Sequence, residues 1–177
     1  MKPRGMLMIE HRLIEKMLAK TKGEAGRIEK TGNADPVFIE TVVDFVRVYA
    51  DRTHHGKEEE ILFKELEMKD LSAEDRKELA ELVDEHRRSR EQVRKLSEAG
   101  RLYKAGDRDK AKEIADILQW LADFYPIHIA KEDKVFFPQT EKYFNDGELQ
   151  KLLDEFDDFD RKMIHEKYQT VVNSIAE

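Results

Sequence analysis

The stretch IADILQWLADFYPIHIAKEDKV, residues 114–135, has the most regular helical pattern in the chain. Its inward-facing positions alternate steps of four and three residues: Ile114, Leu118, Leu121, Tyr125, His128, Glu132 and Val135. This periodicity is typical of a helix that faces the centre of a four-helix bundle. A histidine and a glutamate therefore take positions that Ile and Leu hold elsewhere in the same seam, and those two residues require a chemical explanation.

Helical periods also cover most of the remaining chain, and strand signals are essentially missing. The five predicted helices span about 3–30, 37–68, 72–100, 107–138 and 147–176. We therefore predict an all-α protein in which residues 3–138 form a four-helix bundle and 147–176 an additional C-terminal helix. The 177 residues are expected to form a single domain, 1–177. The additional helix carries Phe156 and Phe159, which either cap the bundle or form a dimer contact.

The composition narrows the class of function. Charged residues make up 40% of the chain and the net charge is −7, so no basic surface for nucleic acid is expected. Cysteine is absent, which excludes disulfides and thiolate metal sites such as zinc fingers and iron–sulfur clusters. No segment approaches the roughly 20 apolar residues of a membrane span, and the first residues lack the apolar stretch of a signal peptide. These features favour a cytoplasmic protein with no membrane partner.

Four predicted helices carry a histidine on their otherwise apolar face. These residues are His11, His54, His86 and His128. Glu58 and Glu132 follow the second and fourth of them by four residues, which places each pair on one face of its helix. The two pairs lie in similar segments, HHGKEEEILF (54–63) and HIAKEDKVFF (128–137).

Burial of two carboxylates and four imidazoles in an apolar core costs roughly several kcal/mol for each unpaired charge, unless a group of opposite charge compensates it. A pair of divalent cations provides that compensation, because carboxylates can bridge two metals while imidazoles bind at the ends. Mixed carboxylate and histidine ligation in a bundle core is typical of di-iron and di-manganese centres. The pattern therefore predicts a metal site.

The chain resembles the hemerythrin-like proteins that carry the HHE cation-binding domain. The resemblance rests on four segments: MIEHRLIEKML (8–18), FVRVYADRTHHGKEEEILF (45–63), LVDEHRRSREQV (82–93) and FYPIHIAKEDKVFFP (124–138). It implies an antiparallel up-down bundle that holds two iron ions joined by an oxo or hydroxo group, with Mn or Zn as alternatives. It also implies terminal ligands at His11, His54, His86 and His128, and bridges at Glu58 and Glu132.

One departure from the family pattern bears on the chemistry. Family members that carry dioxygen have a second histidine four residues after the first on the third helix, and Arg90 occupies that position here. The departure implies an open coordination position, and it favours binding, sensing or reaction with dioxygen, peroxide or nitric oxide over simple dioxygen carriage. Catalase-like or nitric oxide-reducing activity and a separate redox partner protein belong to this interpretation. The alternatives are iron storage, and iron donation for iron–sulfur cluster repair.

Several residues near the predicted ligands have open roles. His55 and Glu59 form a second pair four residues apart, but the gapless alignment with 128–137 favours His54 and Glu58 as ligands. His55 is then expected beside the ligands or at the rim of the site, and Glu59 and Arg90 next to it. Tyr125 either packs in the core or hydrogen-bonds a small molecule at the metals. His165, on the additional helix, is expected at the surface, and both a monomer and a homodimer remain open.

Overall fold

The computed structural model describes residues 2–174 and forms five helices, with no strand in that range. We name them α1 (Pro3–Thr31), α2 (36–67), α3 (Ala73–Lys104), α4 (110–140) and α5 (Asp146–Ser174). The all-α bundle that the sequence predicts is confirmed. The predicted end of the last helix at residue 176 lies outside the described residues. None of the described helices is long and apolar enough to cross a membrane.

Local sequence signals set the helix ends. Asp35 caps α2, accepting hydrogen bonds from the backbone N–H groups of Val37 and Phe38, and Pro36 follows it in the first turn. The hydroxyl of Ser72 accepts from the N–H of Asp75 and caps α3. Gly32 ends α1 with φ 68°, a left-handed conformation that glycine adopts without strain. Helix α4 begins at Lys110 instead of the predicted residue 107, and Asp109, which precedes it, makes no side-chain cap.

Helices α2 and α4 depart from the regular 3.6-residue period near the predicted ligands. In α2 the backbone is π-helical over Val46–His55 and again over Glu58–Phe63, and in α4 over Glu132–Phe136. The sequence-based prediction assumes a regular 3.6-residue period in these segments, so the π-helical turns are a correction to it. π-Helical turns widen the helix by using i→i+5 hydrogen bonds, and they occur frequently at functional sites.

A layer of polar side chains divides the core into two apolar halves. One half is built around Ile14, Leu96 and Leu118, and the other around Leu7, Leu82 and Phe136. His11 lies between Leu7 and Ile14 on α1, so the layer crosses the bundle between them. The prediction that Val135 faces inward is wrong, because this residue is 37% exposed. The π-helical turn at Glu132–Phe136 moves Val135 off the seam and Phe136 into the core.

Helix α5 covers one side of the bundle. Its buried side chains, Leu149, Leu152 and Phe156, join the core half around Leu7. Phe159 reaches Gly56 of α2, where an added Cβ would lie 2.8 Å from the phenyl ring. Among the two alternatives that the sequence leaves open for Phe156 and Phe159, the structure shows contacts within the bundle.

Candidate metal centre

Seven ligand-type side chains from four helices meet in the polar layer. They are His11 on α1; His54, His55 and Glu58 on α2; His86 on α3; and His128 and Glu132 on α4. Each is at most 2% exposed. Consecutive residues 54 and 55 both reach the centre, at the end of a π-helical turn, and they belong to different groups of ligand atoms.

The seven side chains form two groups that share the carboxylates. Ligand atoms of His11, His54, Glu58 and Glu132 lie within 4.8 Å of one another, and so do those of His55, His86 and His128. The carboxylate of Glu58 has Oε1 at 3.5 Å from His54 Nε2 and Oε2 at 3.5 Å from His86 Nε2. Each end of this carboxylate therefore faces a different group.

Glu132 repeats the arrangement from the opposite helix. Its Oε2 lies 3.2 Å from His11 Nε2, in the first group, and its Oε1 lies 3.3 Å from His128 Nε2 and 3.7 Å from His86 Nε2, in the second. Two carboxylates that each face two groups match the bridging geometry of a dinuclear centre. The first group offers four atoms that could bind a metal: two imidazole nitrogens and one oxygen from each carboxylate. The second group offers three imidazole nitrogens and the other oxygen of each carboxylate.

The atoms that face the centre lack hydrogen-bond partners. Both oxygens of Glu58 and Glu132 and the Nε2 atoms of all five histidines are buried without one. The Nδ1 atom of each histidine lies against a carboxylate, which only accepts, so in the neutral ring Nδ1 carries the proton and Nε2 presents a lone pair. With neutral rings and ionised carboxylates, nine buried acceptors therefore face one another. Cations satisfy such a set, and the residues present fit a pair of metal ions.

Comparison with family models agrees with this geometry. The model of the hemerythrin HHE cation binding domain matches residues 3–123 and, in a second match, 78–175. Together the matches cover nearly the whole chain. The chain belongs to the hemerythrin HHE family. Comparison with curated proteins and with solved structures gives no significant match.

The sequence of the HHE protein contains an internal repeat of about 75 residues. The second match starts at residue 78, 75 residues after the first at residue 3, and His86 follows His11 by the same 75 residues. Glu10 precedes His11 as Glu85 precedes His86, and Lys57 precedes Glu58 as Lys131 precedes Glu132. The helix pair α1–α2 therefore corresponds to the pair α3–α4.

Five carboxylates orient the five imidazoles from outside the centre. Glu10 lies 2.8 Å from His54 Nδ1 and Glu85 2.7 Å from His128 Nδ1. The other three pairs are Asp133 with His11 at 2.7 Å, Glu59 with His86 at 2.7 Å, and Asp51 with His55 at 3.3 Å. Metal-ligating histidines almost always donate their second ring N–H in this way.

Basic side chains neutralise these carboxylates in turn. Lys57 contacts Glu10, Arg12 contacts Asp133, and Lys131 contacts Glu85 at 2.5 Å. Arg90 bonds both Asp51 and Glu59, at 2.7 Å each. Arg90 thus lies one step further out than the imidazoles of His55 and His86, and it holds the carboxylates that orient them.

Burial and neighbouring charges shift the pKa values of these groups in the metal-free protein. Burial, followed by the charge of Glu132, raises the pKa of Glu58 well above its usual 4.5. Burial lowers the pKa of His54 to about 4 and that of His55 well below 6.5. For His11, burial acts in the same direction, but the nearby carboxylates of Asp133 and Glu132 outweigh it and raise the pKa to about 9.

The structure brings together all six ligands that the sequence predicts and places His55 differently from its expected position. His55 is 1% exposed, its ring stacks on that of His86 with centroids 3.8 Å apart, and its Nε2 belongs to the second group. His55 therefore brings a third imidazole to the second group, where dioxygen-carrying family members use the histidine that is replaced by Arg90 in this chain. Glu59 lies beside the ligands, on His86. Tyr125 is buried, with its hydroxyl 2.7 Å from Ser89 Oγ, and His165 is exposed.

Sequence reasoning missed the carboxylates at positions 10, 51, 85 and 133. A signal for three of them was present. The dipeptide Glu-His occurs at 10–11 and 85–86, and an acidic residue follows each bridging glutamate, as Asp133 follows Glu132. If the two halves of the chain are aligned, the acidic residues that hydrogen-bond the histidines stand out at equivalent positions, together with the predicted metal ligands.

Proposed function

We propose that this HHE protein holds a carboxylate-bridged pair of iron ions that binds or reacts with dioxygen, peroxide or nitric oxide. The observation that carries the proposal is the set of nine buried acceptor atoms, divided between two groups that share both carboxylates. Imidazole and carboxylate together suit iron, manganese and zinc, and a histidine-carboxylate pair site in a helix bundle is most typical of iron.

The unequal donor sets support a role in binding an outside ligand. His11 and His54 would hold one ion with one oxygen each of Glu58 and Glu132, and His55, His86 and His128 would hold the other with the remaining oxygens. The first position would thus offer four protein atoms and the second five. The position with fewer protein atoms would be the more suitable place for a small molecule to bind. When bound, the iron pair supplies one- or two-electron exchange with that molecule.

The protein's own residues keep the centre fixed and dry. The Nδ1–carboxylate hydrogen bonds orient each ring so that the neutral imidazole presents Nε2 to the centre. Apolar layers around Leu7 and Ile14 exclude water from both sides. An enclosed set of donors favours a fixed metal pair over an exchangeable iron store. A cytoplasmic role in oxidative stress, served by a separate redox partner protein, belongs to the same proposal.

Titration of the iron-loaded protein tests this function. Protein loaded with ferrous iron without oxygen is mixed with dioxygen, hydrogen peroxide or nitric oxide while its visible absorption is recorded. Reversible changes on oxygen cycling identify a carrier, peroxide turnover without net oxidation a catalase-like enzyme, and a stable response to nitric oxide a sensor or reductase. Loss of most of the iron during gel filtration, with no response to any of the three, contradicts the proposal and indicates a store.

Metal binding is expected to release protons at pH 7. His11, with its pKa raised to about 9, holds a proton at pH 7 in the metal-free protein and would lose it to the metals, and the raised pKa of Glu58 acts in the same direction. Affinity therefore rises with pH, by roughly tenfold per unit for each proton displaced, up to about pH 9. Protonation of His11 stabilises the metal-free fold fully below about pH 6.5, and this contribution is lost as the pH rises through about 9.

Calorimetric titration with zinc in buffers of different ionisation enthalpy measures this release. A buffer-dependent heat that corresponds to about one proton per chain at pH 7, from His11, is expected. A heat that is independent of the buffer would mean that the metal-free centre holds no displaceable proton.

A further inference from the structure

We propose that α5 is a functional part of the metal centre: Asp160 positions His54 through Lys57 and Glu10, so that docking of α5 and metal binding at the His11–His54 position strengthen each other. This inference rests on the proposed metal pair and adds a regulatory element to it. It assigns a role to the helix that lies outside the four-helix bundle.

The connection begins at a buried lysine. Lys57 is 0% exposed, although lysine is almost never fully buried without charged partners. Its Nζ contacts Glu10 of α1 and lies 2.8 and 2.9 Å from the two carboxylate oxygens of Asp160 on α5. Lys57 therefore links α5 to α1 through the interior of the protein.

Glu10 carries the connection on to the metal ligand. One of its oxygens contacts Lys57, and the other lies 2.8 Å from His54 Nδ1. The strength of the Nδ1 hydrogen bond depends on the charge and orientation of this carboxylate, and it sets the orientation and basicity of the ring. A change at Asp160 thus reaches His54 Nε2 through two ionic contacts and one hydrogen bond.

Apolar packing holds Asp160 in place. The ring of Phe159 lies so close to Gly56 that a Cβ added to the glycine would be 2.8 Å from the ring. Phe156 is fully buried, and its ring centroid lies 5.9 Å from Nζ of Lys57. Gly56 lies between His55 and Lys57 in the chain. The seat of α5 is therefore formed by the same turn of α2 that carries the ligands.

The second half of the internal repeat has no such cover. Lys131, which corresponds to Lys57, is 24% exposed, and its carboxylate partners Glu81 and Glu85 both belong to α3. Glu85 bonds His128 as Glu10 bonds His54. Helix α5 thus distinguishes two otherwise equivalent arrangements, so its effect is expected at one metal position and not at both.

The coupling follows from the charges around Lys57. Without Asp160, Lys57 has one carboxylate partner instead of two, and undocking of α5 would expose it to water that competes for Glu10. Metal binding fixes His54 and thereby Glu10 and Lys57, which favours the docked position of Asp160. By linkage, any increase in metal affinity that α5 provides must equal the stabilisation of α5 that the metal provides.

The test compares Asp160→Asn with Asp157→Asn, an equal charge change at an exposed position of the same helix. Zinc and cobalt(II) titrations give affinity and stoichiometry, and hydrogen exchange of residues 146–165 is measured with and without zinc. Asp160→Asn is expected to lower the metal affinity of one of the two positions by roughly 10-fold and to leave the affinity of the other unchanged. This is the lower end of the range observed when a residue that hydrogen-bonds a metal ligand is replaced. In the unmodified protein and in Asp157→Asn, zinc is expected to slow exchange in α5; in Asp160→Asn this protection decreases.

The outcomes separate this inference from the proposed function. If the unmodified protein binds no metal pair, the proposed function itself fails. If it binds two ions and Asp160→Asn matches Asp157→Asn in affinity, or weakens both positions equally, the connection through Lys57 is overturned while the metal pair stands. Exchange in α5 that is indifferent to zinc overturns the coupling as well.

Discussion

Replacement of Glu58 by glutamine is expected to abolish the metal pair. Glu58 is fully buried, and its two oxygens face different groups of imidazoles. An amide removes the negative charge that both metal positions share and replaces one of the two oxygens by an NH2 group, which does not bind a metal ion. We expect the metal content after gel filtration to fall from about two ions per chain to well below one. Elemental analysis of protein purified without an affinity tag measures this.

The same replacement is expected to stabilise the metal-free protein. Burial raises the pKa of Glu58 well above 4.5, so the folded state pays for this carboxyl whenever it ionises, and the penalty grows as the pH rises above 4.5. Removal of the charge should increase the free energy of unfolding without metal by roughly 1–3 kcal/mol at pH 7. Glu60→Gln, at an exposed position of the same helix, is the matched control and should change neither quantity.

These two effects have opposite signs, which distinguishes a ligand from a structural residue. A purely structural Glu58 would lose stability on replacement and leave the metal content unchanged. Either of those results would contradict the assignment of Glu58 as a bridge.

Replacement of His55 by leucine is expected to remove one metal ion and keep the other. His55 contributes one of the three imidazoles in the second group and no atom to the first group. Replacement of a residue that only hydrogen-bonds a metal ligand typically lowers metal affinity by roughly 10–100-fold. Loss of the His55 imidazole itself should lower the metal affinity of the second position by more than that. Cobalt(II) titration followed by visible absorption should then show about one tightly bound ion instead of about two.

His165→Leu is the control for this replacement, because His165 is exposed on α5 and belongs to neither group among the described residues. If His55→Leu still binds two ions with unchanged affinity, His55 only packs against His86. In that case no imidazole replaces the histidine that Arg90 displaces, and the coordination position predicted from the sequence would be open.

The fold was accessible from the sequence because its signals are local and repeated. The seam from Ile114 to Glu132 alternates steps of four and three, and caps such as Ser72 lie where the pattern begins. The position of α5 was not accessible in the same way. Its contact with α2 depends on the absence of a side chain at Gly56 and on an ion pair between residues 57 and 160, which are far apart in the chain.

The ligands were predictable for the same reason as the fold, whereas their surroundings were not. His54 and Glu58 share a helical face at any regular period, and the similar segment at His128 and Glu132 marks them. The position of His55 depends on a π-helical backbone, which a 3.6-residue period cannot represent. The pairing of Asp51 with Arg90 across two helices depends on packing, and no spacing in the sequence encodes it.

Metal content per chain, measured by mass spectrometry on protein purified without oxygen and without a metal-affinity tag, tests the central claim most directly. We predict about two iron ions per chain that stay bound through gel filtration, since nine buried donor atoms converge on two positions. Protein that stays folded with no bound metal, and that takes up neither iron, manganese nor zinc, would contradict the account.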